Sequence, residues 1–307
     1  MPISGFMVVK DVVSGGYPFV EAIRAALPIC DELLVSDGYS SDGTWEALEA
    51  LSARHPRLVL HRDRWDGPRG HAEIIARMTN VLLERCRHDW CLNLQANEVL
   101  HERSREELRR LPELYPDAEM FRLPFLTVMG QGLVWLCDHR RRLVRRRPEI
   151  RSKGDGYDLG YDVRTFARRR PRELLRYVLH REGEVTAYLS SPVFRYRALY
   201  PDLYVGKLER AAALYENAHS NHFVRKELAF ARAVRDAMDP ARDPVEAFWR
   251  RMRVYFDDVQ WQGNPHGWSP GRFPRRCLDL ELAPPAVMAP LFGAWRYPVE
   301  ASLAAIA

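Results

Sequence analysis

The chain has 307 residues, of which 47% are hydrophobic and 28% charged, with a formal net charge of +5. That is ample material for a sizeable core, in one large domain or two modest ones, and the slight basic excess excludes a histone-like polycation. No apolar run reaches the ~18 residues needed to cross a bilayer, and no repeat or low-complexity tract is visible.

In chain order, ISGFMVV at 3–9 predicts a buried first strand with Lys10 and Asp11 at its carboxyl end. The run is too short for a signal peptide. Five cysteines, at 30, 86, 91, 137 and 277, show no CxxC or zinc-like spacing. Their number and apolar surroundings predict reduced thiols and a cytoplasmic chain. A Gly15-Gly16 turn leads to a helix over 18–27, ended by Pro28. ELLVS at 32–36 is a second strand, followed by a polar loop from Asp37 to Thr44 and a helix over 44–53. A third strand at 58–61, a Gly/Pro-punctuated loop at 62–71 and a helix over 71–86 follow. This alternation predicts parallel strands with right-handed crossovers.

WCLNL at 90–94 suits a short buried strand that stops at Gln95-Ala96-Asn97-Glu98. In an open α/β sheet the carboxyl end of a strand is where ligands sit. A carboxylate and two amides there suit a ribose, a diphosphate or a cation; equally, they suit the start of a helix expected over 99–111. In the loop at 37–44, Asp37 can accept from a base N–H or a ribose hydroxyl, with Ser40, Ser41 and Thr44 as donors. The same residues suit an ordinary capping turn. There is no P-loop lysine motif and no GxGxxG after the first strand.

LPICDELLVSDGYSSDGTWE at 27–46 resembles the DE(I/L)(V/L)V-D-x-x-S-x-D-G-T signature of family 2 glycosyltransferases. DWCLNLQANEVLHE at 89–102 is similar to that family's W-x-L-x-L-D-A-D-E segment, and more closely to a bacterial branch written W-x-x-x-L-Q-A-D-E-V-x-H-E. The resemblance is clear over 3–102 and weakens beyond. It implies a GT-A type α/β fold, one mixed, mainly parallel sheet flanked by helices, binding a sugar nucleotide. By the same resemblance Lys10 and Asp11 lie near base and ribose and Asp37 contacts the base. Gln95, Ala96 and Asn97 fall on the Asp-x-Asp element beside the diphosphate. That element ordinarily binds Mg2+ or Mn2+. Asn97 replaces its usual Asp, which puts metal dependence in doubt and leaves Glu98 as the expected ligand.

Further on, AEMFRLPF at 118–125 predicts a strand, with a turn at 129–132 and more sheet at 133–136. The basic runs RRRLVRRR at 140–147 and RRR at 168–170 bind anionic partners or form solvated faces. RLVRR at 142–146 and IRSKGD at 150–155 match the branch, and Asp155 is the expected base that deprotonates an acceptor hydroxyl, with Asp158, Asp162 and His139 as competitors. A strand-like segment at 185–202 places Arg195 where the branch has a metal-binding His, so a guanidinium stands where an ion would be. The alternative is a plain strand-edge arginine. Helical spacing marks 203–257, and 258–307 reads as an irregular wrap. The expected division is a catalytic domain over 1–202 and a helical and irregular extension over 203–307.

The leading expectation is a glycosyltransferase, inverting by resemblance, that moves a sugar from a nucleotide donor, with UDP favoured, to an acceptor hydroxyl. A catalytically silent nucleotide-sugar binder is the alternative. So is a protein that binds nucleic acid or glycosylates DNA through its basic runs, whose phosphate contacts would be steeply salt-dependent.

Overall fold

Eleven strands and nine α-helices are defined by a computed structural model that describes residues 1–66, 71–130, 133–154, 156, 158–214, 221–255, 283–295 and 297–305. The first half alternates strand and helix: β1 (Ile3–Val9), α1 (Phe19–Ala26), β2 (Glu32–Asp37), α2 (Thr44–Ser52), β3 (Leu58–Arg62), α3 (His71–Arg85) and β4 (Trp90–Asn93). Then come β5 (Glu98–Val99), α4 (Arg105–Leu114), β6 (Met120–Met129), β7 (Leu133–Arg145), β8 (Ile150–Ser152), β9 (Leu159–Tyr161) and α5 (Val163–Arg169). Beyond these are β10 (Glu184–Thr186), β11 (Val193–Ala198), α6 (Pro201–Leu214), α7 (Asn221–Asp236), α8 (Val245–Tyr255) and α9 (Val299–Ala304).

The expected α/β architecture is present. One nine-stranded sheet runs β3-β2-β1-β4-β7-β6-β11-β5, with β10 also on β6. The β1–β2, β2–β3, β1–β4, β6–β10 and β6–β11 pairs are parallel; β4–β7, β6–β7 and β5–β11 are antiparallel. Side chains alternate between faces along each strand. Ile3, Met7 and Val9 of β1 join Leu33 and Val35 of β2 in a core closed by α1, α2 and α4. Phe6 and Leu34 point the other way, into a core with Leu82 and Leu83 of α3 and Ile150 and Leu159 of the small β8–β9 sheet. Both faces are therefore covered, which is why β1, β2 and β4 read as continuous apolar runs. A third cluster, including Val205, Phe248 and Met252, lies within α6–α8. Met288, Leu291 and Tyr297 belong to the first core.

Three expectations are corrected. The helix read over 99–111 starts later, at Arg105, because Glu98 and Val99 pair with Arg195 and Phe194 of β11. The basic run at 140–147 is mostly strand, and its Arg142 is fully buried. The segment at 185–202 is two strands, since β10 and β11 bind successive stretches of β6. Cys30, Cys86 and Cys91 are free and buried, and burial pushes the Cys30 thiol up to about 12. Among the described residues no helix is long and apolar enough to cross a membrane.

Candidate functional site

The chain order of β3-β2-β1-β4 reverses at β1: α3 carries it from the outer strand back to the far side of β1. Such a switch point leaves a crevice outside the carboxyl ends of the strands flanking it. Lys10 follows β1, Asp37 ends β2, and Gln95 lies just beyond β4. With neighbouring strands ~4.8 Å apart, the ends of β2 and β4 stand about 10 Å apart across β1. The two sequence motifs thus meet on one edge.

Two loops form one wall. The Lys10 ammonium donates to the Gly38 carbonyl at 2.7 Å, and the Asp11 N–H donates to Ser40 Oγ at 2.8 Å. In return the Ser41 N–H donates to Asp11 Oδ1 at 3.0 Å. Thr44 Oγ1 accepts from the N–H groups of Val12 and Val13 at 3.1 and 3.3 Å. Burial works against the Asp42 carboxylate, but donation from the Ser14 N–H and from Thr44 holds its pKa below the ordinary value. Asp37 is fully buried; its oxygens accept from the Ser40 N–H, from the Ser40 hydroxyl and from Arg62 Nε at 3.3 Å. Its visible work is to shape the loop. What the loop presents outward is Tyr39, exposed and held at φ 59°. The Arg62 and Arg64 guanidinium groups lie 4.7 and 5.2 Å from its ring centroid.

The opposite wall is the tip at 95–98. Ala96 and Asn97 are buried there. Asn97 Nδ2 donates to the Tyr196 carbonyl at 3.0 Å and its carbonyl accepts from the Tyr196 N–H at 2.8 Å. Glu98 and Arg142 are both fully buried, and their pair is bidentate: Nε to Oε2 at 2.9 Å and Nη2 to Oε1 at 2.6 Å. The Gln95 N–H also donates to Glu98 Oε2, at 3.0 Å. Arg195 stands opposite Glu98 in the β5–β11 register.

The Glu98 carboxylate, the expected metal ligand, is engaged by Arg142. A hard divalent cation needs carboxylate oxygens, and those of Glu98 are committed to a guanidinium while Asn97 supplies only an amide. Among the described residues no group of three or more His, Cys, Asp and Glu is placed to hold a metal. The side chains present at the tip do not fit such an ion.

Sequence reading missed the third wall. Lys207 of α6 donates to the Arg197 carbonyl at 3.2 Å and sits 5.2 Å from the Tyr17 ring centroid. Burial lowers its pKa; Tyr17 opposes this, and Arg197 and Arg195 add to it. Three cations therefore gather where β11, α6 and the loop after β1 converge. Gly16 makes the approach of α6 possible: its φ is +60°, and a Cβ would collide with Leu203. The signal available in the sequence was the Arg-x-Arg spacing at 195 and 197, which puts both arginines on one face of a strand.

Asp155, the expected base, lies outside the described residues. Two of its competitors are engaged. Asp158 pairs with Arg141 at 2.8 Å, and Asp162 caps α5 by accepting from the Thr165 N–H at 2.8 Å. His139 has its pKa lowered by burial and by Arg122, against Asp138.

No family model matches the chain, and no curated protein matches it. Among solved structures it is similar to TarS of S. aureus, residues 1–349, at 13% identity and a TM-score of 0.37, over 100% of this chain and 89% of that one. The same protein in complex with UDP gives 11% identity and a TM-score of 0.40 over the same shares. Glucosyl-3-phosphoglycerate synthase from Mycobacterium tuberculosis, in complex with Mn2+, UDP and glucosyl-3-phosphoglycerate, gives 14% and 0.37, over 70% of this chain and 79% of that one. Likeness of this degree identifies neither the family nor the function.

Proposed function

We propose that the protein is a glycosyltransferase of GT-A type that moves a sugar from a nucleotide-sugar donor, UDP-sugar favoured, to an acceptor hydroxyl. The single observation that carries the reading is the meeting of the two motifs at the switch point, with Arg195, Arg197 and Lys207 beside the tip. Residues 1–202 then bind the donor, and 203–307 form an extension that contributes Lys207. Tyr39, between Arg62 and Arg64, offers the base an aromatic face. Lys10, Asp11 and Asp37 frame base and ribose. Gln95, Ala96, Asn97 and Arg195 border the diphosphate.

In the reaction the acceptor oxygen attacks the anomeric carbon as the bond from that carbon to the diphosphate oxygen breaks. The acceptor's proton passes to the base, for which Asp155 is proposed, and the anomeric centre inverts. Fixed cations aimed at the departing diphosphate stabilise its developing charge without reorganisation. With the tip donors unsuited to a divalent ion, that task falls to Arg195, Arg197 and Lys207.

A thermal-shift series with nucleoside diphosphates and their sugars, run with EDTA and with Mn2+, tests this. UDP species raise the melting temperature, EDTA leaves the rise intact, and UDP-sugar is turned over in the presence of an acceptor. Lys207→Met weakens UDP binding by about tenfold, the worth of one charge-assisted contact. Asp155→Asn keeps binding and loses turnover. Binding without any release of UDP favours the silent binder that Asn97 in place of Asp suggests. Salt-sensitive retention on DNA without UDP binding overturns the nucleotide-sugar reading.

A further inference from the structure

The end of the sheet opposite the crevice combines exposed apolar side chains with surplus positive charge. The strand starts fix its position: Ile3 pairs with Trp90, Trp90 with Arg145, Val144 with Met120, and Met120 with Glu184. Seven of the nine exposed large apolar residues among the described residues lie at or beside this end: Met1, Leu114, Tyr115, Val163, Leu175, Leu179 and Tyr188. Leu175 and Leu179 are 63% and 67% exposed and bound one π-helical turn; Tyr188 is 90% exposed and shares a shallow groove with Leu114 and Tyr115. Tyr161 and Tyr177, in edge contact, tie the turn to the sheet through a hydrogen bond from the Tyr161 hydroxyl to Glu119.

The charge left without a partner is predominantly positive. Glu119 and Glu173 pair with Arg170, Glu149 with Arg169, Glu182 with Arg176, and Asp89 with Arg145. Glu113 pairs with the terminal amine, leaving Asp117 and Glu106 as exposed carboxylates without an ion pair among the described residues. Against these two stand Arg146, Arg147, Arg164, Arg168 and Arg172, all exposed and without an ion pair among the described residues. Exposed leucines at the same end as unmatched arginines suit an interface where hydrocarbon lies beneath anionic headgroups. A second copy of this face would set arginine against arginine. Nucleic acid would meet the arginines but leave the leucines in water.

We infer that this end docks on an anionic lipid bilayer, with Leu175 and Leu179 entering the acyl boundary and the arginines resting on the headgroups. The crevice then faces away from the lipid. The inference is independent of the proposed reaction.

Sedimentation of the full chain with vesicles tests it. Phosphatidylcholine containing phosphatidylserine carries the protein down, pure phosphatidylcholine does not, and raised salt releases it. Replacing Arg168 and Arg172 together with Gln lowers the partition about 25-fold, at about fivefold for each arginine. Leu175→Ser with Leu179→Ser lowers it by roughly tenfold or more, while the melting temperature, which exposed positions do not set, stays unchanged. Binding that ignores lipid charge overturns the inference. So does partition unaffected by the leucine changes, or a concentration-dependent dimer abolished by the same variants.

Discussion

The buried Glu98–Arg142 pair is where one substitution has the largest calculable effect. Arg142→Met removes both guanidinium hydrogen bonds from a carboxylate with no exposed surface. Stranding a buried charge in this way costs about 3–5 kcal/mol. With an unfolding entropy of ~2.1 cal/mol/K per residue, a chain of 307 residues loses about 5–8 °C of melting temperature. Glu98→Met strands the arginine and costs a similar amount. The double variant leaves neither charge and packs two apolar side chains in their place, so it recovers most of the loss. Scanning calorimetry of the four proteins gives the coupling energy. If Arg142→Met melts within about 1 °C of the parent, or if the two losses simply add, the pair does not hold the tip and the reasoning fails.

Other consequences follow from the same contacts. Burial raises the Glu21 carboxyl above its ordinary 4.5, and the Tyr297 hydroxyl donates to it at 3.1 Å. The folded state therefore keeps this proton longer than the unfolded one, so stability from it is full below about pH 4.5 and falls as pH rises through the higher folded value. Glu21→Gln keeps the acceptor, removes that decline and melts higher at neutral pH; an unchanged slope in the variant refutes the assignment. Donation from the Thr165 N–H holds Asp162 at about 2, below its ordinary 3.8. Its stabilisation is present above 3.8 and is lost as pH falls through about 2. By urea titration Asp162→Ala costs about 1 kcal/mol at neutral pH, and the difference closes in strong acid. Gly16→Ala forces α6 off the loop after β1, lowering stability by more than about 1 kcal/mol and weakening UDP binding. Gly160→Ala, with open space around it and no left-handed backbone, serves as the near-neutral control.

The first four strands and three helices were legible because patterning was unambiguous there. Apolar runs such as ISGFMVV buried on both faces and helical stripes ended by Pro or Gly leave little choice. Lys10, Asp37 and Gln95 could be placed on one edge because parallel strands all end on the same side. The tip was only half legible. A two-residue strand such as β5 has no period, and its partner lies about a hundred residues away. The run at 140–147 stands out by its charge, yet β7 alternates there. Leu143 faces one core, and Val144 faces the other. Arg142, just before them in sequence, is buried because Glu98 neutralises it, a pairing that no local pattern announces. Lys207 lies on α6, whose approach to the loop after β1 depends on Gly16 lacking a side chain, which no local pattern announces.

Tyr297 is 276 residues from Glu21 in sequence, yet its ring packs on Phe19 and its hydroxyl meets Glu21. Met288 and Leu291 fill the same layer, and Arg24 reaches the carbonyl of Ala305. A nascent chain emerging at 5–20 residues per second synthesises α1 roughly 15–55 s before Tyr297 exists. During that interval the apolar face of α1 lacks its last cover, so this layer closes only once Tyr297 has been made. A ribosome stalled within the preceding segment would expose that face to chaperones.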